Sequence, residues 1–389
     1  MEVGKLRRTV PDNLERSLTG LLLARNDRLK TNGILIMRKI LLHDIQFDIG
    51  GPNTVLNAIE HSRLNRKYTF ERICQKGGCG LNPLKALRFV LHYRKVINRA
   101  HGDAIYICGL QYVGFLMTLA AKLSNVGEVI VSVHGSDWDV EDKTLRRKVL
   151  KYIIEPLEVR MADKIFTVCR AEQEKVKALK FARRGCNCGT IYNTFPSIDY
   201  TKVASGALES AIGSREGKTV VAVVGRVTER KGHAYIIEAL KKCKDNRYVF
   251  VIIGDGDYLQ HYRERCAEEI AQRRLFLLGN RNDVLALLRD VDIFLFATLN
   301  ENHSMALLEA VAMHCAALVT AVGGNTETIE DGVSGVVIPP ADSDAIVEGL
   351  RRLADSQVRE RYARSAFQYC QSAFSEENTL GKLDRLFEQ

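Results

Sequence analysis

The stretch KTVVAVVGRVTERKGHAYIIEAL, residues 218–240, reads as a strand, a loop and a helix in succession. Its apolar, β-branched run ends at Gly225, and Lys231 and Gly232 open the helical segment. The runs YVFVIIG, RLFLLG, DIFLFA and AALVTAVG follow it, and each precedes another helical segment. Strands that alternate with helices indicate a parallel sheet joined by right-handed crossovers.

The first half of the chain alternates in the same way, with short apolar runs at residues 39–43, 68–74, 128–133, 164–168 and 189–192. We therefore predict an α/β protein with two doubly wound, Rossmann-like sheets in tandem and a cleft between them. The predicted divisions are an N-terminal extension (1–36), a first domain (37–200), a linker (201–217), a second domain (218–372) and a C-terminal helix (373–389).

Composition limits the class of partner without choosing it. The 389 residues, 46% of them hydrophobic, suffice for two globular cores. A net charge of +9 favours anionic partners such as nucleotides, nucleic acid, lipid head groups or phosphorylated substrates. The ten cysteines lack the doubled spacing of a zinc site, and no secretory signal is evident, so we expect reduced thiols in the cytosol.

Residues 104–121, AIYICGLQYVGFLMTLAA, are the longest apolar stretch, bounded by Asp103 and Lys122. Two glycines and a glutamine near its middle argue against a membrane span. We predict a strand followed by a helix that begins at about Tyr112.

Ligands of doubly wound sheets bind beyond the carboxyl ends of the strands, so the loops there are the candidate sites. Arg226 and Lys231 follow the first strand of the second domain and lie beside a helix start. Free N–H groups and the helix dipole complete an anion site that suits a diphosphate, although a solvated basic loop is the alternative. Gly254 opens the run GDGDY, which is either a close approach to a ligand or a tight turn.

The stretch LNENHSMALLEAVAMHC, residues 299–315, follows another strand and carries two acids. Glu301 lies in the loop, and Glu309 lies about two turns inside the helix. A carboxylate accepts hydrogen bonds from both hydroxyls of a ribose, and Glu309 suits that role. The alternative is an ordinary helix with one acid at its N-terminal end and another on its polar face.

The run from GRVTERKG through GDGDY, ENHSMALLEA and GGNTETIEDGVSG resembles glycosyltransferase family 4. That family comprises retaining nucleotide-sugar transferases with the GT-B fold. In the first half, DIGGP (48–52), VSVHGSD (131–137) and IYNTFPSID (191–199) resemble its glycine loop, its histidine motif and the segment before its linker. The resemblance implies a glycosyltransferase of the hexosyltransferase type, whose donor is a nucleotide sugar.

The resemblance also assigns roles to residues. Arg226 and Lys231 grip the donor diphosphate, Glu301 faces the transferred sugar, Glu309 holds the ribose, and His134 contacts the sugar near the reaction centre. The implied catalytic residues are therefore His134, Arg226, Lys231 and Glu301. The implied donor contacts are Gly50, Gly51, Arg226, Lys231, Gly254, Asn302, His303, Ser304, Met305, Ala306 and Glu309.

No metal or other cofactor is expected. The two basic side chains and the helix start supply the positive charge that a departing nucleoside diphosphate needs. Asp255 and Asp257 flank Gly256 and are interpreted as part of a turn. The resemblance implies attack on the face that the leaving group departs from, with the leaving phosphate as the base. The alternative is a double displacement, which needs a protein nucleophile.

The sequence departs from the family's usual pattern directly after Glu301. The family commonly has Gly after the first acid and Pro a little later, whereas this chain has Asn302, His303 and Ser304. These side chains are candidates for donor-sugar contacts, although His303 is equally well a helix-start residue. The one tryptophan, Trp138, is interpreted as a packing residue.

Basic residues are concentrated in the first domain. Residues 81–102 contain five (Lys85, Arg88, Arg94, Lys95 and Arg99) and no acid, and DKTLRRKVLKY (142–152) is a second basic stretch. A basic amphipathic helix is typical of membrane-surface binding, and a solvated face is the alternative. We expect a cytoplasmic protein, peripheral on an anionic membrane, with a glycan or lipid-linked acceptor, in synthesis of a cell-surface polysaccharide (lipopolysaccharide or capsule) or glycolipid.

Other functions fit the sequence less well. A nucleic-acid-binding protein would show basic residues interleaved with aromatic ones, and none are found. A catalytically silent sugar-nucleotide binder could lose Glu301 or His134, and both are present. A GT-B epimerase or phosphorylase remains the alternative enzyme. The last segment, FSEENTLGKLDRLFEQ, predicts an amphipathic helix that crosses back to the first domain.

Overall fold

The computed structural model describes residues 37–45, 51–77, 82–139, 144–215 and 217–388. Two six-stranded parallel sheets, each flanked by helices, confirm the predicted α/β fold. The strands are β1 (Arg38–Ile45), β2 (Tyr68–Gln75), β3 (Ala104–Cys108), β4 (Glu128–Val133), β5 (Lys164–Thr167), β6 (Asn187–Thr190), β7 (Thr219–Val224), β8 (Tyr248–Ile253), β9 (Leu275–Gly279), β10 (Ile293–Phe296), β11 (Ala316–Thr320) and β12 (Val336–Ile338).

Helices connect successive strands of each sheet, as parallel pairing requires. Those of the first half and the linker are α1 (Gly51–Glu60), α2 (Pro83–Ala100), α3 (Tyr112–Lys122), α4 (Leu145–Val149), α5 (Glu155–Met161), α6 (Arg170–Lys175) and α7 (Ala207–Ile212). A π-helical turn, Leu150–Ile154, joins α4 to α5. Those of the second half are α8 (His233–Lys242), α9 (Leu259–Arg265), α10 (Ala267–Ala271), α11 (Val284–Leu288), α12 (Met305–Ala312), α13 (Asn325–Thr328), α14 (Ser343–Arg352), α15 (Ser356–Ala373) and α16 (Glu376–Glu388).

Strand order determines where each sheet opens towards a ligand. The first sheet runs β2-β1-β3-β4-β5-β6 and the second runs β12-β11-β10-β7-β8-β9, with every pairing parallel. In the second sheet the order reverses between β7 and β10, which pair through Val221 and Ile293. The loops after these two strands therefore diverge at adjacent points, and ligands of such sheets bind in the crevice between them.

The apolar stretch at residues 104–121 is a strand and a helix, as predicted. All five residues of β3 are buried, and α3 begins at Tyr112. Within the residues that the structure describes, no helix combines the length and the apolar character that a membrane crossing requires.

The strand predicted at residues 189–192 lies two residues earlier, at Asn187–Thr190. Gly189 adopts a φ of 73°, which side chains other than glycine rarely adopt. Tyr192 and Asn193 thus fall beyond the strand, where both contact the second half of the molecule.

The C-terminal helix α16 packs against the first sheet. The Phe387 ring meets Tyr68 edge-on with ring centroids 5.5 Å apart, and Lys164 Nζ donates to the Leu386 carbonyl at 2.5 Å. A single apolar cluster also joins α1 to α12, through residues such as Leu56 and Met305. Both contacts hold the two sheets together across the cleft.

Candidate active site

An ion pair lies at the switch point of the second sheet. Lys231, in the loop after β7, donates from its ammonium group to the Glu301 carboxylate in the loop after β10. Both side chains are largely buried, with 15% and 13% of their surfaces exposed. The Lys231 ammonium also lies 4.8 Å from the centroid of the Phe296 ring. This cation–π contact helps to hold the ammonium group in place.

Glycines allow these loops to approach one another. Gly232 has a φ of 70°, and a Cβ there would come within 1.9 Å of the Ala297 carbonyl oxygen, so the loop after β7 lies directly against the end of β10. Gly254 has a φ of 141°, and a Cβ there would come within 2.1 Å of the Gly225 oxygen. Gly254 thus supports the loop that carries Arg226, which is an exposed residue.

The helix α12 begins at the same point. Ser304 is its N-cap, and its hydroxyl accepts from the Leu307 amide at 3.4 Å. The amides of Met305 and Ala306 lie in the first turn, where a helix supplies no intrahelical acceptors. The Ser304 side chain therefore caps the helix, while the backbone offers the N–H groups that an anion binds.

His303 faces the first domain. Its Nδ1 accepts from the Asn193 backbone amide at 3.1 Å, and the Asn193 side-chain amide donates to its carbonyl at 2.6 Å. The Tyr192 and Phe374 rings pack on the imidazole. Because Nδ1 accepts, the neutral ring carries its proton on Nε2, which is buried and has no hydrogen-bond partner among the described residues.

His134 and His303 each place the Nε2 atom of the ring away from solvent. Burial lowers the pKa of His134 to about 4 and that of His303 to about 3, and the charge of His134 contributes to the second shift. Both imidazoles are therefore neutral near pH 7. The His134 Nε2 is also buried without a partner in the described part of the chain. Two neutral rings from opposite domains thus lie close enough to influence one another electrostatically.

Glu309 lies on α12, two turns beyond Glu301. Burial raises the pKa of its carboxyl group to about 7. The group therefore changes charge near neutral pH, and a hydrogen-bond donor in the cleft would favour the ionised form.

The remaining predicted residues of the first half are placed as follows. Gly51 is the first residue of α1 and is exposed, with open space where a Cβ would stand, while Gly50 lies outside the described residues. Trp138 packs edge-on against Tyr152, with ring centroids 5.4 Å apart. Asp137, just before it, forms an ion pair with Arg147 of α4.

Residues to which the sequence assigned no role also border the site. The Glu327 carboxylate accepts from the Arg170 and Ala171 amides of the first domain at 3.1 and 2.9 Å. It also accepts from the Tyr192 hydroxyl at 2.5 Å. The signal in the sequence was the glycine pair before this acid, GGNTE, because two adjacent glycines indicate close packing of backbone.

The described residues contain no group of three or more His, Cys, Asp or Glu side chains arranged to hold a metal ion. Metal independence nevertheless stays a prediction. What the site does combine is a fixed cation, exposed basic charge, free helical N–H groups and carboxylates, all around one crevice. Such a set can bind a diphosphate and hydroxyl groups together.

Two family models match the chain, one in each half. Residues 23–168 match the model described as "Glycosyl transferase 4-like", and residues 207–369 match "Glycosyl transferases group 1". The protein is a glycosyltransferase. A relative from Escherichia coli, UDP-Gal:alpha-D-GlcNAc-diphosphoundecaprenol alpha-1,3-galactosyltransferase, is 27% identical to this glycosyltransferase over 337 residues, which is 82% of this chain and 83% of the relative.

Solved structures share the fold of this glycosyltransferase. Sucrose-phosphate synthase from Thermosynechococcus elongatus superposes with a TM-score of 0.75 at 15% identity, over 90% of this chain and 98% of that chain. HepE from Anabaena, solved in complex with UDP-glucose, superposes with a TM-score of 0.72 at 17% identity, over 90% of this chain and 100% of that chain. These similarities confirm the predicted GT-B architecture.

Proposed function

We propose that this glycosyltransferase moves a hexose, with retention of configuration, from a uridine diphosphate sugar to a hydroxyl of a lipid-linked saccharide. The observation that carries the proposal is the Lys231–Glu301 pair at the switch point, directly before the start of α12. The printed activity of the Escherichia coli relative, which uses UDP-Gal and a diphosphoundecaprenol-linked sugar, supports this donor and acceptor class. The product would belong to a cell-surface polysaccharide or glycolipid.

The donor would lie along the second sheet. Lys231 can keep its bond to Glu301 and still donate to a phosphate oxygen, because an ammonium group has three donors. Arg226 adds charge from the same loop as Lys231, and the Met305 and Ala306 amides face the distal phosphate. Glu309 accepts from the ribose hydroxyls. Negative charge grows on the diphosphate as the glycosyl bond breaks, so these fixed donors stabilise the transition state more than the ground state.

The transfer step involves few protein groups. The bond between the anomeric carbon and the phosphate oxygen breaks, and the acceptor oxygen attacks from the same face. Its proton passes to the departing phosphate oxygen. Glu301 and the neutral His134 hold hydroxyl groups of the sugar, and His134 can do so as an acceptor or donor because burial keeps it uncharged. No metal is needed in this scheme.

A thermal-shift panel tests the donor. Uridine, guanosine, thymidine and adenosine diphosphate sugars are added to wild type and to Lys231→Ala at equal concentrations. A bound donor stabilises the fold by mass action, so we expect a rise in Tm with uridine diphosphate sugars in wild type alone. A rise with no member of the panel would refute the proposed donor class. Hydrolysis of the donor with and without acceptor separates transfer from epimerase or phosphorylase activity.

The acceptor side has a surface suited to a membrane. We call it the outer face: the solvent-facing side of α2 and of the helical run 145–161. Its apolar side chains are each between 39% and 78% exposed and comprise Leu84, Leu87, Leu91, Leu145, Val149, Tyr152, Ile153 and Leu157. The helices α2, α3 and α5 cover one side of the first sheet and share one core. The two apolar groups therefore belong to a single layer.

The charge of the outer face favours anionic lipid. Lysines and arginines alternate with the apolar side chains on both helical runs, and the two acids of α5, Glu155 and Glu158, are fully buried. A surface that combines exposed leucines with basic groups and presents no acid on these helices fits the interface of an anionic bilayer. We propose that the protein docks there peripherally, from the cytoplasmic side, to meet its acceptor.

Vesicle flotation tests this docking. Wild type is mixed at low salt with phosphatidylglycerol vesicles and with phosphatidylcholine vesicles, and the floated fraction is measured. We expect flotation with the anionic vesicles and loss of it in high salt, because the basic groups are screened. Absence of flotation with anionic vesicles at low salt would refute the proposal.

A further inference from the structure

Two consecutive residues of the first domain, Tyr192 and Asn193, contact two different loops of the second. The Tyr192 hydroxyl donates to the Glu327 carboxylate at 2.5 Å, and Asn193 bonds both Nδ1 and the carbonyl of His303. His303 lies in the Glu301 loop, and Glu327 lies on α13, which follows the glycine pair 323–324. One short segment thus holds both walls of the candidate donor site.

Glu327 itself is held from three directions. Its two carboxylate oxygens accept from the amides of Arg170 and Ala171, which begin α6, and from the Tyr192 hydroxyl. All three donors belong to the first domain, whereas Glu327 belongs to the second. Hydrogen bonds to an ionised group are stronger than neutral ones, so this is a firm contact between the domains.

The contact reaches Glu301 through packed backbone. A Cβ on Gly323 would come within 1.7 Å of the Glu301 carbonyl oxygen, and a Cβ on Gly324 within 2.2 Å of the Asn302 oxygen and 3.1 Å of the Cys169 Cβ. The glycine pair is thus enclosed between the Glu301 loop and the first domain. A shift of α13 would move the Glu301 backbone, because no space separates them.

We propose that Tyr192 and Glu327 form an interdomain clasp that positions the Glu301 loop for sugar transfer. The clasp fixes the second domain against α6, and the glycine pair transmits that position to Glu301 and its partner Lys231. In the proposed reaction both clasp residues act through the Glu301 loop rather than on the sugar, so both are positioning residues. The proposal rests on the proposed function, because Glu301 needs a precise place only if it faces the reacting sugar.

The test compares Tyr192→Phe and Glu327→Gln with a matched control, Tyr369→Phe. Tyr369 donates to the backbone carbonyl of the same Glu327 at 3.1 Å and leaves its carboxylate untouched. For Tyr192→Phe we expect roughly a tenfold fall in kcat with the donor Kd within about twofold of wild type, and for Glu327→Gln roughly a hundredfold fall. Tyr369→Phe should stay within about twofold in both quantities.

Hydrogen exchange without substrate supplies a second readout. In both clasp variants the Arg170 and Ala171 amides should exchange at least about tenfold faster, because they lose a carboxylate acceptor or its alignment. Wild-type kcat in Tyr192→Phe, or a donor Kd that weakens as much as kcat falls, would overturn the clasp. If Glu327→Gln fails to fold, Tyr192→Phe decides alone, since it removes a single hydroxyl group.

The two proposals fail in different ways. Should the wild type transfer no sugar from any donor, the proposed function is refuted, and the exchange rates still judge the clasp. Unchanged exchange at Arg170 and Ala171 in both variants would refute the clasp while transfer by the wild type continued.

Discussion

The first and second halves of the molecule share an architecture of six parallel strands, but their distinctive residues lie in different places. In the second half they line the loops at the switch point, where Lys231 meets Glu301 and glycines at positions 232 and 254 let the loops touch. In the first half they lie on the outer face, where leucines and basic residues point to solvent. The same fold thus supports chemistry at strand ends and docking on helix surfaces.

Substitutions in the switch-point loops and substitutions on the outer face should have different effects. Changes in the switch-point loops should affect every donor and every acceptor, because they alter the chemical step. Changes on the outer face should affect an acceptor that resides in a membrane and spare one that is free in solution.

The largest effect is expected from Lys231→Ala. Removing the fixed cation should lower kcat/KM by roughly a thousandfold, since the charge on the diphosphate grows in the transition state. Kinetics with a soluble acceptor measure this. Lys244→Ala, which removes an exposed lysine of the same domain, should keep the wild-type rate. Equal rates in the two variants would remove Lys231 from the site.

Glu301→Gln should lower kcat by roughly a hundredfold and leave the far-ultraviolet circular dichroism unchanged. The amide keeps the size of the side chain but loses the charge that pairs with Lys231 and holds a sugar hydroxyl. Single-turnover rates measure the loss. A variant that turns over normally would contradict the role assigned to this acid.

Leu87→Asp, on the outer face, should affect transfer to a membrane-bound acceptor only. An acid on the outer face should reduce transfer to a lipid-linked acceptor in anionic vesicles by roughly twentyfold, because it opposes insertion and adds repulsion. Transfer to a soluble acceptor should not change. Val333→Ser, at an exposed apolar position of the second domain, is the control and should leave both activities intact. Equal loss with both acceptors would contradict the separation.

Glu309→Ala should raise the donor KM by about tenfold with kcat nearly unchanged, because it removes ribose contacts that exist before and during the reaction. Initial rates over a range of donor concentrations measure the two constants. A fall in kcat alone would contradict the assignment to the ribose.

The smallest effect concerns pH. The Glu309 carboxyl has a pKa of about 7, so it is neutral below that pH and ionised above it. Because the ionised form accepts two hydrogen bonds, donor affinity should increase by up to about fivefold from pH 6 to pH 8. His134 and His303, with pKa values near 4 and 3, do not titrate in this window. Titration calorimetry should show no such trend in Glu309→Gln.

The sequence predicted the second sheet and its cleft loops because their signals are local. Strand periodicity, glycines after strands and an acid before a helix can all be recognised within short windows. The rule that loops at strand ends meet placed Lys231 and Glu301, 70 residues apart, at the same cleft, but their ion pair was not predicted. The fold class and the glycosyltransferase assignment are confirmed, while the roles of the individual residues stay predictions.

The clasp and the exposed apolar side chains of the outer face were beyond local patterns, although the basic residues of that face were recognised. Tyr192 and Glu327 are 135 residues apart and lie on different domains, so no periodicity links them. The run 189–192 has the composition of a strand, yet the strand ends at Thr190. Tyr192 therefore lies beyond it, where its hydroxyl donates to Glu327. The helix α2 carries apolar residues on two sides, and their spacing does not predict which side the sheet covers. Leu84 and Leu87 lie on the side that stays exposed. Only tertiary packing decides that.

The proposed transfer with retention is tested most directly by the configuration at the anomeric carbon of the product. Wild type is incubated with an α-linked uridine diphosphate hexose and a diphosphate-lipid-linked saccharide, and the product is examined by proton NMR. We expect transfer of the hexose with an α linkage, and loss of that product with Lys231→Ala. A β-linked product, or release of free hexose without transfer, would contradict the proposal.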